Sequence, residues 1–207
     1  MRKVHPNNLP NEANSRNTGE EIALTVWRKS LVFNCNGFTV FNGHGQLKFR
    51  VDCYQSGCNQ ILLMDAAGNS LFTIRRKRLG FGDTWTIYEG ESSVNPLLSA
   101  KKYRILSHNS KTTTLLRVSS ARQESMPITG YEVEGSYGDR RCSVYECWGD
   151  DRKTMMKRKV AEIKQKEAMA GMAFGCDVFR LVVWPDLVDP SLTMAILVLV
   201  DQLLGNF

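Results

Sequence analysis

Apolar and polar residues alternate most clearly where Leu47, Phe49 and Val51 interleave with Lys48, Arg50 and Asp52. That period of two belongs to a strand with one buried face. Similar β-like runs recur at residues 23–27, 38–41, 62–64, 71–74, 85–88, 103–106, 115–118, 131–133, 142–148 and 178–184. Between them stand Asn42-Gly43-His44-Gly45, Ala67-Gly68-Asn69, Gly82-Asp83, Tyr137-Gly138-Asp139 and Gly149-Asp150-Asp151, whose Gly and Asx residues supply the positive φ angles that hairpins need. The spacing predicts an antiparallel meander. No helix-length segment separates the strands before residue 150, which argues against parallel βαβ folds and their nucleotide-binding switch points.

Two segments behave differently. Across residues 151–171 Met, Lys, Arg, Glu and Ala favour a helix, although Met156, Arg158 and Val160 also alternate as in a strand. Further on, Asp189 precedes Pro190, an N-cap residue followed by a proline suited to the first helical position. This predicts a helix over 190–204. Leu192, the run from Met194 to Val200, Leu203 and Leu204 leave it no wholly polar face, and Gly205 offers a C-terminal cap. At the α-helical rise the helix reaches roughly 22 Å, short of the ~30 Å hydrocarbon thickness of a bilayer. Asp189 and Asp201 bracket its apolar run, so it reads as a buried core helix and not a transmembrane span. An eight-stranded barrel has room only for its own side chains, so enclosing a helix requires more strands. An antiparallel barrel of eleven or twelve strands satisfies both the strand pattern and the apolar helix.

Composition adds limits. A hydrophobic share of 43% over 207 residues is enough for a folded core in one large domain, with disorder confined to the ends. Met1 to Glu20 is polar, contains no apolar run of signal-peptide length, and is expected to be a flexible tail ahead of a domain over 21–207. Six cysteines without an Asn-x-Ser/Thr sequon suit a reducing compartment, the cytoplasm or nucleus. The net charge of +6 favours anionic partners: phospholipid headgroups, nucleic acid or acidic proteins.

Three basic clusters are candidate anion sites: Arg75, Arg76, Lys77 and Arg78; Lys101, Lys102 and Arg104; and Lys157, Arg158 and Lys159. In the first, Arg76 continues the face of Phe72 and Ile74, so the run is expected to reach a barrel rim, where arginines can bind phosphate bidentately. The plainer reading of each cluster is solvated surface, and for the first a strand end that discourages edge pairing. Cys53 with Cys58, and Cys142 with Cys147, invite a zinc reading. However, Cys142 and Cys147 are five positions apart, which puts them on opposite faces of one strand, and small buried or semi-exposed thiols are expected instead, a Cys53–Cys58 disulfide across a turn being open only under oxidising conditions. His5, His44 and His108 leave little for a catalytic triad, and no Walker loop, HExxH or G-x-S-x-G motif occurs. The tryptophans are not interleaved with basic residues in any recognisable RNA- or single-strand-binding motif, which argues against nucleic-acid binding.

Several ordered blocks resemble the plant LURP-one-related proteins: Leu24-Thr25-Val26-Trp27-Arg28-Lys29-Ser30-Leu31, Gly37-Phe38-Thr39-Val40-Phe41, Leu63-Met64-Asp65-Ala66-Ala67-Gly68, Thr73-Ile74-Arg75-Arg76-Lys77, Gly135-Ser136-Tyr137 and Asp177-Val178-Phe179-Arg180-Leu181-Val182-Val183. That family is similar in fold to tubby C-terminal domains and phospholipid scramblases. The resemblance implies a mostly β fold, a closed antiparallel barrel of about twelve strands around a buried hydrophobic C-terminal helix, with residues 151–171 extended. It brings no enzyme activity and no cofactor, an association of some members with pathogen defence, and, through the tubby relationship, phosphoinositide or membrane binding. No tubby headgroup motif matches positions here. The expectation is a non-enzymatic module binding anionic phospholipid headgroups from its basic rim, peripheral to a membrane; the alternative is a protein-interaction scaffold with no lipid ligand.

Overall fold

A computed structural model describes residues 19–54, 59–79, 82–102, 114–121, 130–149, 155–167 and 175–205. The strands are β1 (Ile22–Trp27), β2 (Asn36–Phe41), β3 (Leu47–Cys53), β4 (Gln60–Asp65), β5 (Ser70–Leu79), β6 (Gly82–Glu89), β7 (Leu98–Lys102), β8 (Thr114–Ser120), β9 (Gly130–Ser136), β10 (Arg141–Trp148), β11 (Met156–Gln165) and β12 (Val178–Val183). They form one closed barrel in which each strand pairs with its sequence neighbour and β1 closes the ring against β12. Closure leaves no edge strand for the basic residues of β5 to protect.

The period-two pattern sets which side chains enter the barrel. Ile61, Ile74, Ile87 and Leu98 form a continuous apolar row across β4, β5, β6 and β7. All four are buried in the core. At each of Val40/Phe41, Leu63/Met64, Thr114/Leu116 and Val144/Tyr145 the register shifts. Such bulges increase local bend and twist, which helps a sheet curl closed. Gly135 supports one tight approach: its φ is 121°, and a Cβ there would lie 2.1 Å from the Arg141 carbonyl oxygen on the paired strand.

Helix α1 (Pro190–Leu204) fills the barrel. Thr193 through Asp201 are all buried on it, which explains an apolar surface with no solvent face. Asp189 caps the helix by accepting from Ser191 N at 2.7 Å and Leu192 N at 3.2 Å. Gly205 stands at the C-cap as expected, but with extended backbone, its N–H reaching the Asp201 carbonyl at 2.8 Å. Among the described residues no helix is long and apolar enough to cross a membrane.

Met156–Gln165 is a strand, as the family resemblance implies and against its helix-favouring composition. Propensity differences among such residues are at most about 0.7 kcal/mol each, and β11 gains two ladders, to β10 and β12, while burying Val160, Ala161 and Ile163. The pattern also overlooks β7, where alternation is carried only by Leu98 and Ala100. The run expected at 103–106 lies outside the described residues, as do 1–18 of the expected tail, 151–154 and 168–171.

Candidate functional site

Because neighbouring strands are antiparallel, β1, β3, β5, β7, β9 and β11 all run toward the end where α1 finishes. This C-terminal end gathers the described members of the first two basic clusters. Arg75, Arg76 and Lys77 climb β5 toward it, and Lys101 and Lys102 end β7 there. Lys77 pairs with Thr84, and Thr84 with Lys101, so the two lysines share one outward row. Two strand spacings put their backbones about 10 Å apart.

Within the first cluster the side chains part as their alternation requires. Arg75 and Lys77 lie on the outer face, whereas half-buried Arg76 is paired with buried Trp85 near the barrel mouth. The Arg75 guanidinium stands 5.9 Å from the centre of the Tyr88 ring, a cation–π placement. Lys77, Lys101 and Lys102 are exposed and make no ion pair among the described residues. Arg78 is in β5 with its side chain outside the described part, and Arg104 lies outside the described residues altogether.

The third cluster begins β11, at the opposite end, and every member is paired. Lys157 Nζ lies 2.5 Å from Glu134 Oε1, Arg158 reaches Glu146 at 2.7 Å, and Lys159 bonds Glu162. Burial works against the Lys157 ammonium, but the Glu134 hydrogen bond and charge outweigh it and hold its pKa above the ordinary lysine value. Arg117 pairs with Glu132 on the same outer wall. The three clusters therefore do not form one patch.

A cavity of about 380 Å³ opens beside the last turns of α1 at the C-terminal end. Phe38, Val51, Ile61 and Val198 give it apolar walls, while Arg28, Lys29, Asn36, Asp177 and Asp201 supply polar groups. Among the described residues, none of the basic residues expected from sequence lines it. At its base Asp201, only 2% exposed, accepts from Tyr137 Oη at 2.8 Å and pairs with Arg28 Nε at 3.2 Å. Burial raises the pKa of Asp201, with Tyr137 and Arg28 opposing the shift. Arg140 sits between the rings of Tyr137 and Phe179, at 4.2 and 4.4 Å from their centres, and donates to the Cys176 carbonyl at 2.9 Å. These contacts fasten the helix end to the barrel and leave the Asp201 carboxylate already engaged.

The cysteines separate as their strand positions require. Cys142 belongs to the core cluster and Cys147 does not, although both are buried. Burial pushes the Cys142 thiol up to about 12 and the Cys147 thiol up to about 11, the opposite of what a nucleophile needs. Cys53, expected to be a thiol, is disulfide-bonded, while Cys35 and Cys176 are free; Cys58 lies outside the described residues. His44 is exposed in the β2–β3 turn, its backbone N–H held by Asn42 Oδ1 at 3.0 Å, and His5 and His108 lie outside the described residues.

Sequence reading overlooked Arg28 and Asp201 as a pair, and the exposed apolar side chains of Leu31 and Phe33 on the β1–β2 connection. The available signal was the stretch Trp27-Arg28-Lys29-Ser30-Leu31-Val32-Phe33, where alternation lapses between two clear strands.

Residues 22–201 match the family described as LURP-one-related. Protein LURP-one-related 8 of Arabidopsis thaliana is 42% identical over 208 residues, covering 98% of each chain. Protein LURP-one-related 5 of the same plant is 36% identical, covering 91% of this chain and 86% of its own. An X-ray structure of an Arabidopsis thaliana protein shares the fold with a TM-score of 0.60 at 21% identity, covering 88% of this chain and 90% of the other. With the barrel, the enclosed helix and this match over every described strand, the chain belongs to the LURP-one-related family.

Proposed function

We propose that the protein is a non-enzymatic binding module that docks the C-terminal end of its barrel onto anionic phospholipid headgroups, phosphoinositides among them, as a peripheral membrane component of plant defence or stress signalling. The observation that carries this reading is the contrast in pairing: Lys77, Lys101 and Lys102 stand exposed without ion pairs among the described residues, while Lys157, Arg158 and Lys159 are each matched by a glutamate. Unpaired cations on one surface attract an anionic leaflet, each contributing ~1 kcal/mol when held near it. Arg75 and Arg76 add guanidinium groups able to engage phosphate in a forked geometry. The outer row shared by Lys77 and Lys101 also suits a surface carrying several headgroups better than a single enclosed ligand.

Liposome sedimentation with and without phosphoinositides tests the reading. The protein is expected to pellet with anionic vesicles and not with neutral ones, and neutralising Arg75, Arg76 and Lys77 together is expected to weaken that binding about tenfold or more. Binding indifferent to lipid charge, or unchanged in the variant, sinks the proposal. A stoichiometric protein partner that survives detergent and high salt would favour the scaffold reading, since surface attraction to lipid is screened by salt.

A further inference from the structure

The β1–β2 connection holds apolar side chains out into solvent on a backbone that is itself fixed. Phe33 is 89% exposed and Leu31 54%, between Ser30, which is buried, and Cys35, which is half-buried. Ser30 Oγ donates to buried Asp52 and accepts from Val32 N at 2.9 Å. Cys35 N bonds the Val32 carbonyl at 3.2 Å, and Asn34 takes a left-handed backbone with φ 58°. Below the turn, Thr39 Oγ1 donates to the Lys29 carbonyl at 2.7 Å. Asp52 also accepts from Arg50 at 3.0 Å and Tyr54 at 3.2 Å, so one buried carboxylate organises the base of the turn.

From these contacts we infer that this turn is a membrane-inserting wedge, with Leu31 and Phe33 entering the acyl boundary of an anionic bilayer while the cations of the same barrel end hold its headgroups. The inference rests on the anionic-surface reading above and names the part of the surface that enters the membrane. Charge complementarity selects a bilayer as the occupant. The turn follows Arg28 and Lys29 at the barrel end where β5 and β7, which carry Lys77, Lys101 and Lys102, also finish. Trp27 at 38% and Tyr54 at 54% exposure flank it, and rings with one apolar and one polar end are suited to the headgroup level. A convex tip of two apolar side chains, with exposed Lys29 beside it and Lys77, Lys101 and Lys102 on other strands of the same barrel end, matches an anionic leaflet, with headgroups outside and hydrocarbon just beneath.

The measurement is binding of the full chain to phosphatidylserine–phosphatidylcholine vesicles, at low and high salt, for wild type and for Leu31→Ser/Phe33→Ser. Both side chains are exposed, so thermal unfolding is expected to match wild type. Vesicle affinity is expected to fall about a hundredfold or more, the loss expected from removing two buried apolar side chains, and the salt-resistant part of binding to disappear. In Phe33→Trp, binding is expected to persist, with blue-shifted emission that lipid brominated along its acyl chains quenches. If the double-serine variant binds as tightly as wild type, or Phe33→Trp is not quenched by brominated acyl chains, the wedge is wrong while the headgroup reading stands. If wild type itself ignores anionic vesicles, the headgroup reading fails and the wedge with it. Loss of a protein partner in the double-serine variant, with vesicle binding unchanged, would assign the turn to protein docking and overturn the proposal.

Discussion

The two ends of the barrel carry similar basic clusters but treat them in opposite ways. Where β11 begins, Lys157, Arg158 and Lys159 are neutralised by Glu134, Glu146 and Glu162, so that wall is a self-contained ionic lattice. Where β5 and β7 finish, Lys77, Lys101 and Lys102 have no such partners among the described residues. A cation run in a sequence therefore says little about binding by itself; what matters is whether the neighbouring strands supply acids. The cavity, the Asp201 anchor and the exposed turn all lie at the end with unpaired cations.

The contrast can be broken outright by removing the element that both ends share. Leu197→Asp places a carboxylate on a helix side chain that is 1% exposed inside the barrel. An unpaired buried charge costs several kcal/mol, so the whole protein is expected to unfold or become insoluble. A folded variant that differs only in vesicle binding would refute the role of α1 as the core.

A finer test exchanges the two ends. Replacing Lys77, Lys101 and Lys102 by Gln is expected to weaken anionic-vesicle binding on the order of a hundredfold, from ~1 kcal/mol per charge, with the thermal midpoint little changed. Gln at Lys157, Arg158 and Lys159 is expected to do the reverse: nearly intact binding but about 1 kcal/mol lower stability, because Glu134 loses its partner on a largely buried site. Equal effects of the two triple variants on binding would mean that position on the barrel does not matter.

The smallest effect concerns the buried anchor. Asp201 holds its proton more tightly in the folded protein than an ordinary carboxyl does, through burial, which Tyr137 and Arg28 only partly offset. Such a group contributes stability that is fully present below its unfolded pKa and lost as the pH rises through the raised folded value. The stability difference between wild type and Asp201→Asn, followed by thermal unfolding, is therefore expected to move against wild type as pH increases across that window. A difference growing with pH would mean that Arg28 and Tyr137 favour the ionised form more than burial opposes it.

Much of the barrel can be read from residue patterns alone. Alternation locates most strands, and Asp189-Pro190 with Gly205 brackets α1 correctly because these caps are local contacts between residues two to four apart. β7 escapes notice because Ala100 gives a weak apolar signal between polar neighbours. β11 opposes its own helical composition because two flanking strands outweigh small propensity differences. Its strand character follows from family resemblance and not from its residues. The candidate site is less legible still: the described members of the expected basic clusters divide between two ends, and the described cavity lining consists of other residues.

By itself the sequence determined which side chains face inward along most strands, where the helix begins and ends, and that the helix needs an apolar enclosure. Those properties depend on periods of two and 3.6 and on local caps. Tertiary structure alone decided which cations are spent in pairs and which remain available. Lys157 meets Glu134 from 23 positions away and Tyr137 meets Asp201 from 64 positions away. Alternation fixes the face on which a charge stands; ring closure fixes the charge beside it.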